Sequence, residues 1–179
     1  EGTVPDTINL ALLVLRLGLG GVFLAHGIKH AMGREKTTNW FASLGFAAPG
    51  FQWFASTATE LGVGILLIIG LGSSLAAAGV IGVMFVAFWT VHRAAGFFIT
   101  AFMKDGVDVE GYEYVLTLAV MAGALAVSGP GEWSLDWAIT FDGVTLAELL
   151  DGRVGIILAA GGAVTAVAQL AAFWKPERG

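Results

Sequence analysis

The sequence has no cysteine and little charge. Its 179 residues include no Cys, 9 Lys and Arg and 14 Asp and Glu, and charged residues make up 13% of the chain. Without cysteine the chain forms no disulfide, no thiolate metal site and no iron–sulfur cluster of its own. So few charges are not enough to cover a water-soluble domain of this length. The sequence also has no basic run of the kind that binds nucleic acid, so we expect no nucleic-acid partner.

Apolar residues are abundant, and they form five long runs. Hydrophobic residues make up 56% of the chain, and the mean hydropathy is +0.80. Each run approaches the about 20 residues that a helix needs to cross a ~30 Å hydrocarbon core. The runs cover residues 8–28, 53–71, 75–92, 111–127 and 154–174. We therefore predict an all-α, multi-pass helix bundle in the lipid bilayer.

Basic residues are unequally divided between the two predicted membrane faces. The face with the N-terminus and the 128–153 loop carries only Arg153. The opposite face carries seven basic residues, which are Lys29, Arg34, Lys36, Arg93, Lys104, Lys175 and Arg178. Because short cytoplasmic loops are enriched in Lys and Arg, we expect the N-terminus outside and the C-terminus in the cytoplasm. The host membrane would then be the plasma (inner) membrane.

Two charged residues lie inside predicted spans, where an unpaired charge is costly. Arg16 and Glu60 each lie about eight residues, or ~12 Å, from opposite ends of their spans. These depths differ by only a few ångströms in a ~30 Å core. We therefore predict an Arg16–Glu60 ion pair. The pair would either line a binding site or simply join two helices.

Several polar and aromatic side chains are expected in the cytoplasmic half of the bundle. Carbonyl oxygens of a quinone need hydrogen-bond donors, and its reduction needs protons from groups that titrate near neutrality. The candidate ligand-binding residues are Arg16, His26, His30, Glu60, Trp89, His92 and Glu113. We therefore predict a site for a quinone or a similar lipid-soluble ligand. Alternatively, the histidines bond to backbone groups or to lipid phosphate.

Histidine spacing also raises the question of a metal. His26 and His30 have the i, i+4 spacing that can chelate a metal ion, and His26 with His92 could face a haem. No supporting motif accompanies either arrangement. We predict no resident metal and no covalently bound cofactor, which leaves quinone as the candidate ligand.

A series of short motifs runs in order along residues 12–136. They are LRLG at 15–18, FLAHG at 23–27 with Lys29, WF at 40–41, GF at 45–46 with Pro49, ELGVG at 60–64, Met84, His92, GYEY at 111–114, GPG at 129–131 and SLD at 134–136. In this order and spacing they resemble the DoxX family of membrane proteins. The resemblance implies a four-helix membrane domain over residues 1–136. An extracytoplasmic loop over 137–153 and an additional membrane helix over 154–174 would follow it.

The resemblance also implies a place in a larger assembly. The family includes the membrane subunit of an archaeal thiosulfate:quinone oxidoreductase. It also includes a bacterial membrane protein proposed to assemble with superoxide dismutase and a sulfurtransferase. On the added helix, Gly155, Ala159 and Ala163 have a small-residue spacing that would suit close packing on a partner.

Three functions remain open. The first is a membrane subunit of a quinone-linked oxidoreductase, which would receive electrons from a partner because this chain has no cysteine and no nucleotide motif. The alternative is a non-catalytic scaffold or accessory subunit of a respiratory or oxidative-stress complex. A transporter or ion path ranks third, because the sequence shows neither an inverted repeat nor a pair of helices broken by Gly or Pro.

Overall fold

Five long helices form the protein in the computed structural model, which describes residues 5–176. They are α1 (Asp6–Met32), α3 (Pro49–Ile69), α4 (Ser73–Ala87), α5 (Glu113–Ser128) and α8 (Gly152–Phe173). The remaining elements are short: α2 (Arg34–Ser43), α6 (Leu135–Ala138), β1 (Thr140–Phe141), β2 (Val144–Thr145) and α7 (Leu146–Leu150). The prediction of an all-α membrane bundle is confirmed.

Four helical segments of the described chain are long and apolar enough to cross a membrane. They are Asp6–Met32, Pro49–Ile69, Ser73–Met103 and Gly152–Phe173. The fourth predicted span, 111–127, is realised as α5, a shorter apolar helix of 16 residues, or ~24 Å. α5 begins only at Glu113 because the preceding backbone bonds elsewhere. The N–H groups of Gly111 and Tyr112 donate to the carbonyls of Phe98 and Gly96.

Close contacts of glycine fix the register of α1 against α3. A Cβ at Gly20 would meet the Gly64 carbonyl at 2.9 Å, and a Cβ at Gly27 would meet the Leu61 amide at 2.8 Å. Each glycine therefore admits the backbone of the other helix, as small residues do in membrane bundles. Leu19 and Leu67 are fully buried beside these contacts. The two helices are therefore antiparallel, and these contacts show which residues of α1 and α3 lie opposite each other.

The small-residue face of α8 packs inside its own chain. Gly155 lies against the Ala126 carbonyl of α5, and Gly162 lies against the Ala78 carbonyl of α4. Ala159 packs on the main core. The expectation that this face binds a partner is therefore wrong, because α4 and α5 already cover it. Small residues allow close packing but do not say which helix will use it.

The end of α8 pairs with the loop before α3. The Ala47 N–H donates to the Phe173 carbonyl at 2.7 Å, and the Lys175 N–H donates to the Gly45 carbonyl at 2.8 Å. The Trp174 indole N–H donates to the Leu44 carbonyl at 2.9 Å. This loop-to-terminus pairing closes one end of the bundle.

α4 does not end as a regular helix. It widens into a π-helical turn over Phe88–His92 and then tightens into a 3₁₀ turn over Arg93–Ala95. Gly96, with a φ of 89°, ends the helix, and a further 3₁₀ turn covers Ile99–Met103. π-Turns are rare and often lie near functional sites. That residues 93–109 lie along the membrane surface stays a prediction.

Candidate functional site

His30 and Glu60 form the closest charged contact between two of the long helices. Nδ1 of His30 lies 2.7 Å from Oε2 of Glu60, and the two side chains are only 19% and 7% exposed. The pair joins the end of α1 to the middle of α3, eleven residues after Pro49. The two atoms are within ion-pair distance, but their alignment does not meet the geometry of a hydrogen bond, so both are buried without a hydrogen-bond partner among residues 5–176.

Neighbouring residues hold the histidine in place. Gly27 lets α1 approach α3 one turn before His30, so the imidazole reaches Glu60. The Trp53 indole N–H donates to the His30 backbone carbonyl at 2.9 Å. Arg34 lies over the Trp53 ring, 4.8 Å from its centroid. The sequence folds this way because Gly, His and Trp occupy the facing turns of α1 and α3.

The buried face of α3 adds more polar groups in the same half of the bundle. Gln52 is fully buried, and its Oε1 accepts a 2.7 Å hydrogen bond from Gln169 of α8. Gln52 Nε2 and Thr57 Oγ1 are buried donors, and among residues 5–176 no acceptor meets them. A buried donor without a partner costs about 1–3 kcal/mol. These atoms are therefore places where an oxygen-bearing ligand or an ordered water would stabilise the protein.

His26 lies next to the pair but outside the buried region. Its ring centroid is 6.3 Å from that of His30 in an edge-on arrangement, and the residue is exposed. The structure thus brings together three of the predicted site residues: His26, His30 and Glu60.

Trp89, His92 and Glu113 have other contacts. Trp89 stacks on Phe85 and carries Arg93 over its ring, 4.3 Å from the centroid. His92 Nδ1 lies 2.8 Å from the Glu110 carbonyl. Glu113 starts α5, and its backbone N–H donates to Phe97. These residues organise the loop between α4 and α5, and their role in ligand binding stays a prediction.

The predicted Arg16–Glu60 ion pair is wrong. Gly20 faces Gly64 and Gly27 faces Leu61, which places Glu60 level with Gly27. Arg16 therefore lies about eleven residues, or ~17 Å, farther along α1. The prediction assumed that both spans begin at equal depth, whereas α1 extends well past the end of α3.

Arg16 instead closes the end of α3. It is 1% exposed and donates from Nη1 to the Leu67 carbonyl at 3.3 Å and from Nη2 to the Trp133 carbonyl. The Leu71 N–H bonds to Leu66, which leaves the Leu67 carbonyl available to Arg16. A cation at a helix C-terminus is favoured both by such free carbonyls and by the helix dipole.

Asp136 binds the start of α4, next to the end of α3 that Arg16 binds. Its two carboxylate oxygens accept from the N–H groups of Gly72 and Ser73 at 2.6 and 2.8 Å, at the start of α4. Asp136 also interacts favourably with the Arg16 charge. We call Arg16, Trp133 and Asp136 the Arg16 latch. It fastens the loop after α5 over the α3–α4 turn, so its role is structural.

The sequence prediction missed Gln52, Gln169 and Asp136 as interacting residues. A polar amide inside the fifth apolar run and another next to the start of the second were the available signal for the glutamine pair, because such groups usually bond across helices. The partners of Asp136 are backbone amides 63 and 64 residues away, which no local pattern reveals. Within the described chain, no group of three His, Asp or Glu side chains is placed to hold a metal.

One curated protein is similar to a part of this chain. A curated Bacillus subtilis protein named "Putative oxidoreductase CatD" is 33% identical over 79 residues, which cover 44% of this chain and 54% of that protein. The chain thus matches about half the length of this relative. No solved structure matches significantly.

The family match has a definite extent. The DoxX family model covers residues 11–93, which include α3, α4, most of α1 and the His30–Glu60 pair. The motifs at 111–136 lie beyond this match. Their family assignment and the proposed division at residues 136 and 153 stay predictions. The resemblance to the DoxX family is confirmed over residues 11–93.

Proposed function

We propose that this protein is a membrane subunit of a quinone-linked redox complex and that the His30–Glu60 pair recognises the head of the quinone. The 2.7 Å contact between a half-buried imidazole and a buried carboxylate carries the proposal. Such a pair can hold a proton where an uncharged, lipid-soluble ligand has access. The DoxX match and the oxidoreductase name of the Bacillus subtilis relative support a redox role.

The residues on α3 fit the chemistry of a quinone. Its carbonyl oxygens accept hydrogen bonds, and Gln52 Nε2 and Thr57 Oγ1 are buried donors in the same half of the bundle. When bound, a quinone supplies the electron-accepting group. The chain's own residues would bind the carbonyl oxygens, and His30 and Glu60 would be the groups that exchange protons beside them. Electrons come from a partner subunit, because the sequence has no cysteine and no nucleotide motif.

Quinone binding can be measured on the purified full chain in lipid nanodiscs. A short-chain ubiquinone or menaquinone analogue quenches tryptophan fluorescence, and Trp53 lies beside His30. We expect saturable quenching that weakens about ten-fold in Glu60→Gln and in His30→Gln, as for the loss of one charge-assisted hydrogen bond. His92→Gln is the matched control, because His92 bonds to a loop carbonyl instead.

Unchanged affinity in both variants would refute the proposal. If those variants also assembled normally with redox partners, the accessory-subunit alternative would replace it. Weakening in His92→Gln as strong as in His30→Gln would place the ligand at the α4–α5 loop and would also count against the His30–Glu60 pair.

We further propose an orientation in the plasma membrane, with the N-terminus outside and the C-terminus in the cytoplasm. Basic residues at the α2 end of the bundle are Lys29, Arg34, Lys36, Arg93, Lys104 and Lys175, against Arg153 at the exposed surface of the other end; Arg178 lies outside the described residues. Because the sequence has no cysteine, a single introduced cysteine can be labelled on intact cells without a background from other thiols of this sequence. A membrane-impermeant thiol reagent should label Asp142→Cys and not Asp105→Cys. The reverse pattern would overturn the orientation.

A further inference from the structure

A cleft lies at the end of the bundle that carries the Arg16 latch, far from His30. Its volume is about 210 Å³. The first turns of α1 form one wall, and the end of α5 forms another. α6 and the residue before α8 complete it.

A separate, open depression of about 410 Å³ lies at the start of α2, beside Met32, Arg34 and Lys36. That depression has only exposed side chains around a helix start, so nothing in it indicates a ligand.

The walls of the cleft are apolar, and one of its lining residues is charged. Ile8, Leu12, Pro130 and Trp137 supply the apolar surface, and Asp151 is the charged residue among the described lining. Burial, and next the nearby charge of Glu148, raise the pKa of Asp151 above its ordinary value. A backbone hydrogen bond offsets part of this rise, and within the described chain Asp151 has no ion pair with a basic side chain.

The surroundings of the cleft favour a cation. The acidic residues at this end of the bundle include Asp6, Glu132, Asp142 and Glu148. Among the described residues at the same end, Arg153 is the exposed basic residue. An excess of one sign raises the local concentration of the opposite ion. The face of a tryptophan ring also attracts a cation, and tryptophan is enriched at the membrane–water interface.

We propose that this cleft binds the ammonium head of an ethanolamine phospholipid, with Asp151 as its counter-ion and Trp137 as its aromatic wall. A cavity of about 150 Å³ holds a benzene molecule, so 210 Å³ admits an ammonium group on a two-carbon arm. Ile8 is 49% exposed and offers an apolar surface for an acyl chain. This proposal is independent of quinone binding at the opposite end.

Native mass spectrometry of the full chain in mild detergent tests the site. Phosphatidylethanolamine and phosphatidylglycerol with identical acyl chains are added separately. We expect preferential retention of phosphatidylethanolamine, and a drop of about five-fold in Asp151→Asn and in Trp137→Leu. Asp142→Asn and Trp133→Leu are matched controls, because both side chains lie in the same loop but not among the cleft's lining residues.

A second variant tests the cleft without changing its charge. Ile8→Trp should fill it and lower phosphatidylethanolamine retention, whereas Val14→Trp, at another exposed position of α1, should not. Equal retention of the two lipids, or normal retention in Asp151→Asn, would overturn the proposal. Competition by free ethanolamine at the same concentration as the lipid would also overturn it, because the occupant would then be a soluble amine.

Discussion

The Arg16 latch and the His30–Glu60 pair both contain buried charged side chains, but these side chains have different roles. In the latch, Arg16 and Asp136 bond to backbone groups at the ends of α3 and α4. In the pair, two side chains meet each other, and neighbouring donors on α3 lack acceptors within the described chain. Unsatisfied donors occur at both places, because Arg16 Nε and Ser73 Oγ also have no partner among residues 5–176. The difference is in what the charges contact, which is helix ends in the latch and a second titratable side chain in the pair.

Breaking the latch should have the largest effect on stability. Arg16→Met leaves the Leu67 and Trp133 carbonyls without a donor and Asp136 without its cation. We expect a loss of about 3 kcal/mol in the free energy of unfolding. Unfolding in mixed micelles measures it, with the exposed Arg34→Met as control. A loss below that of the control would show that the latch is dispensable.

Separating α1 from α3 beside the pair should have an intermediate effect. A Cβ in Gly27→Ala meets the Leu61 backbone at 2.8 Å, so the helices must move apart. We expect a loss of about 1–3 kcal/mol together with weaker quinone binding. Gly21→Ala is the control, because nothing lies within 4 Å of its Cβ position. Equal stability of the two variants would contradict the close packing described.

Neutralising the pair should change stability less than breaking the latch. Glu60→Gln keeps the shape of the side chain and removes a buried charge, so we expect a change within about 1 kcal/mol. The same variant should lose most of its affinity for the quinone analogue. Stability and binding are measured on one preparation. A loss of stability as large as in Arg16→Met would mean that the pair is structural too.

The smallest expected effect is on the pH dependence of folding stability, through the carboxyl group of Asp151. Its pKa is raised in the folded protein, chiefly by burial, so the folded state gains stability from protonation at low pH and loses that gain as pH rises through the raised pKa. Asp151→Asn should remove this loss, which solvent screening limits to about 0.3 kcal/mol. Thermal unfolding between pH 4 and pH 7 measures it. An identical pH dependence in both proteins would contradict the assigned cause.

The sequence was sufficient for the class of fold and for part of the site. Apolar runs near 20 residues identify spans because length and hydropathy are local properties. The proximity of His26 and His30 was also local, since it follows from helical spacing. The partner of Arg16 was not predictable in this way. It depends on how far α1 slides along α3, which Gly20 and Gly27 determine through contacts made only in the bundle.

The pairing at the end of α8 has a consequence for biogenesis. Trp174 bonds to Leu44 across 130 residues of chain, and Gln169 bonds to Gln52 across 117. Synthesis must therefore have passed Gln169 and Trp174 before these contacts can form. Until then, the polar amide of Gln52 and the α4 surface around Ala78 have no α8 to cover them. α8 thus covers these groups, and a nascent chain stalled before it would be a natural target for membrane quality control.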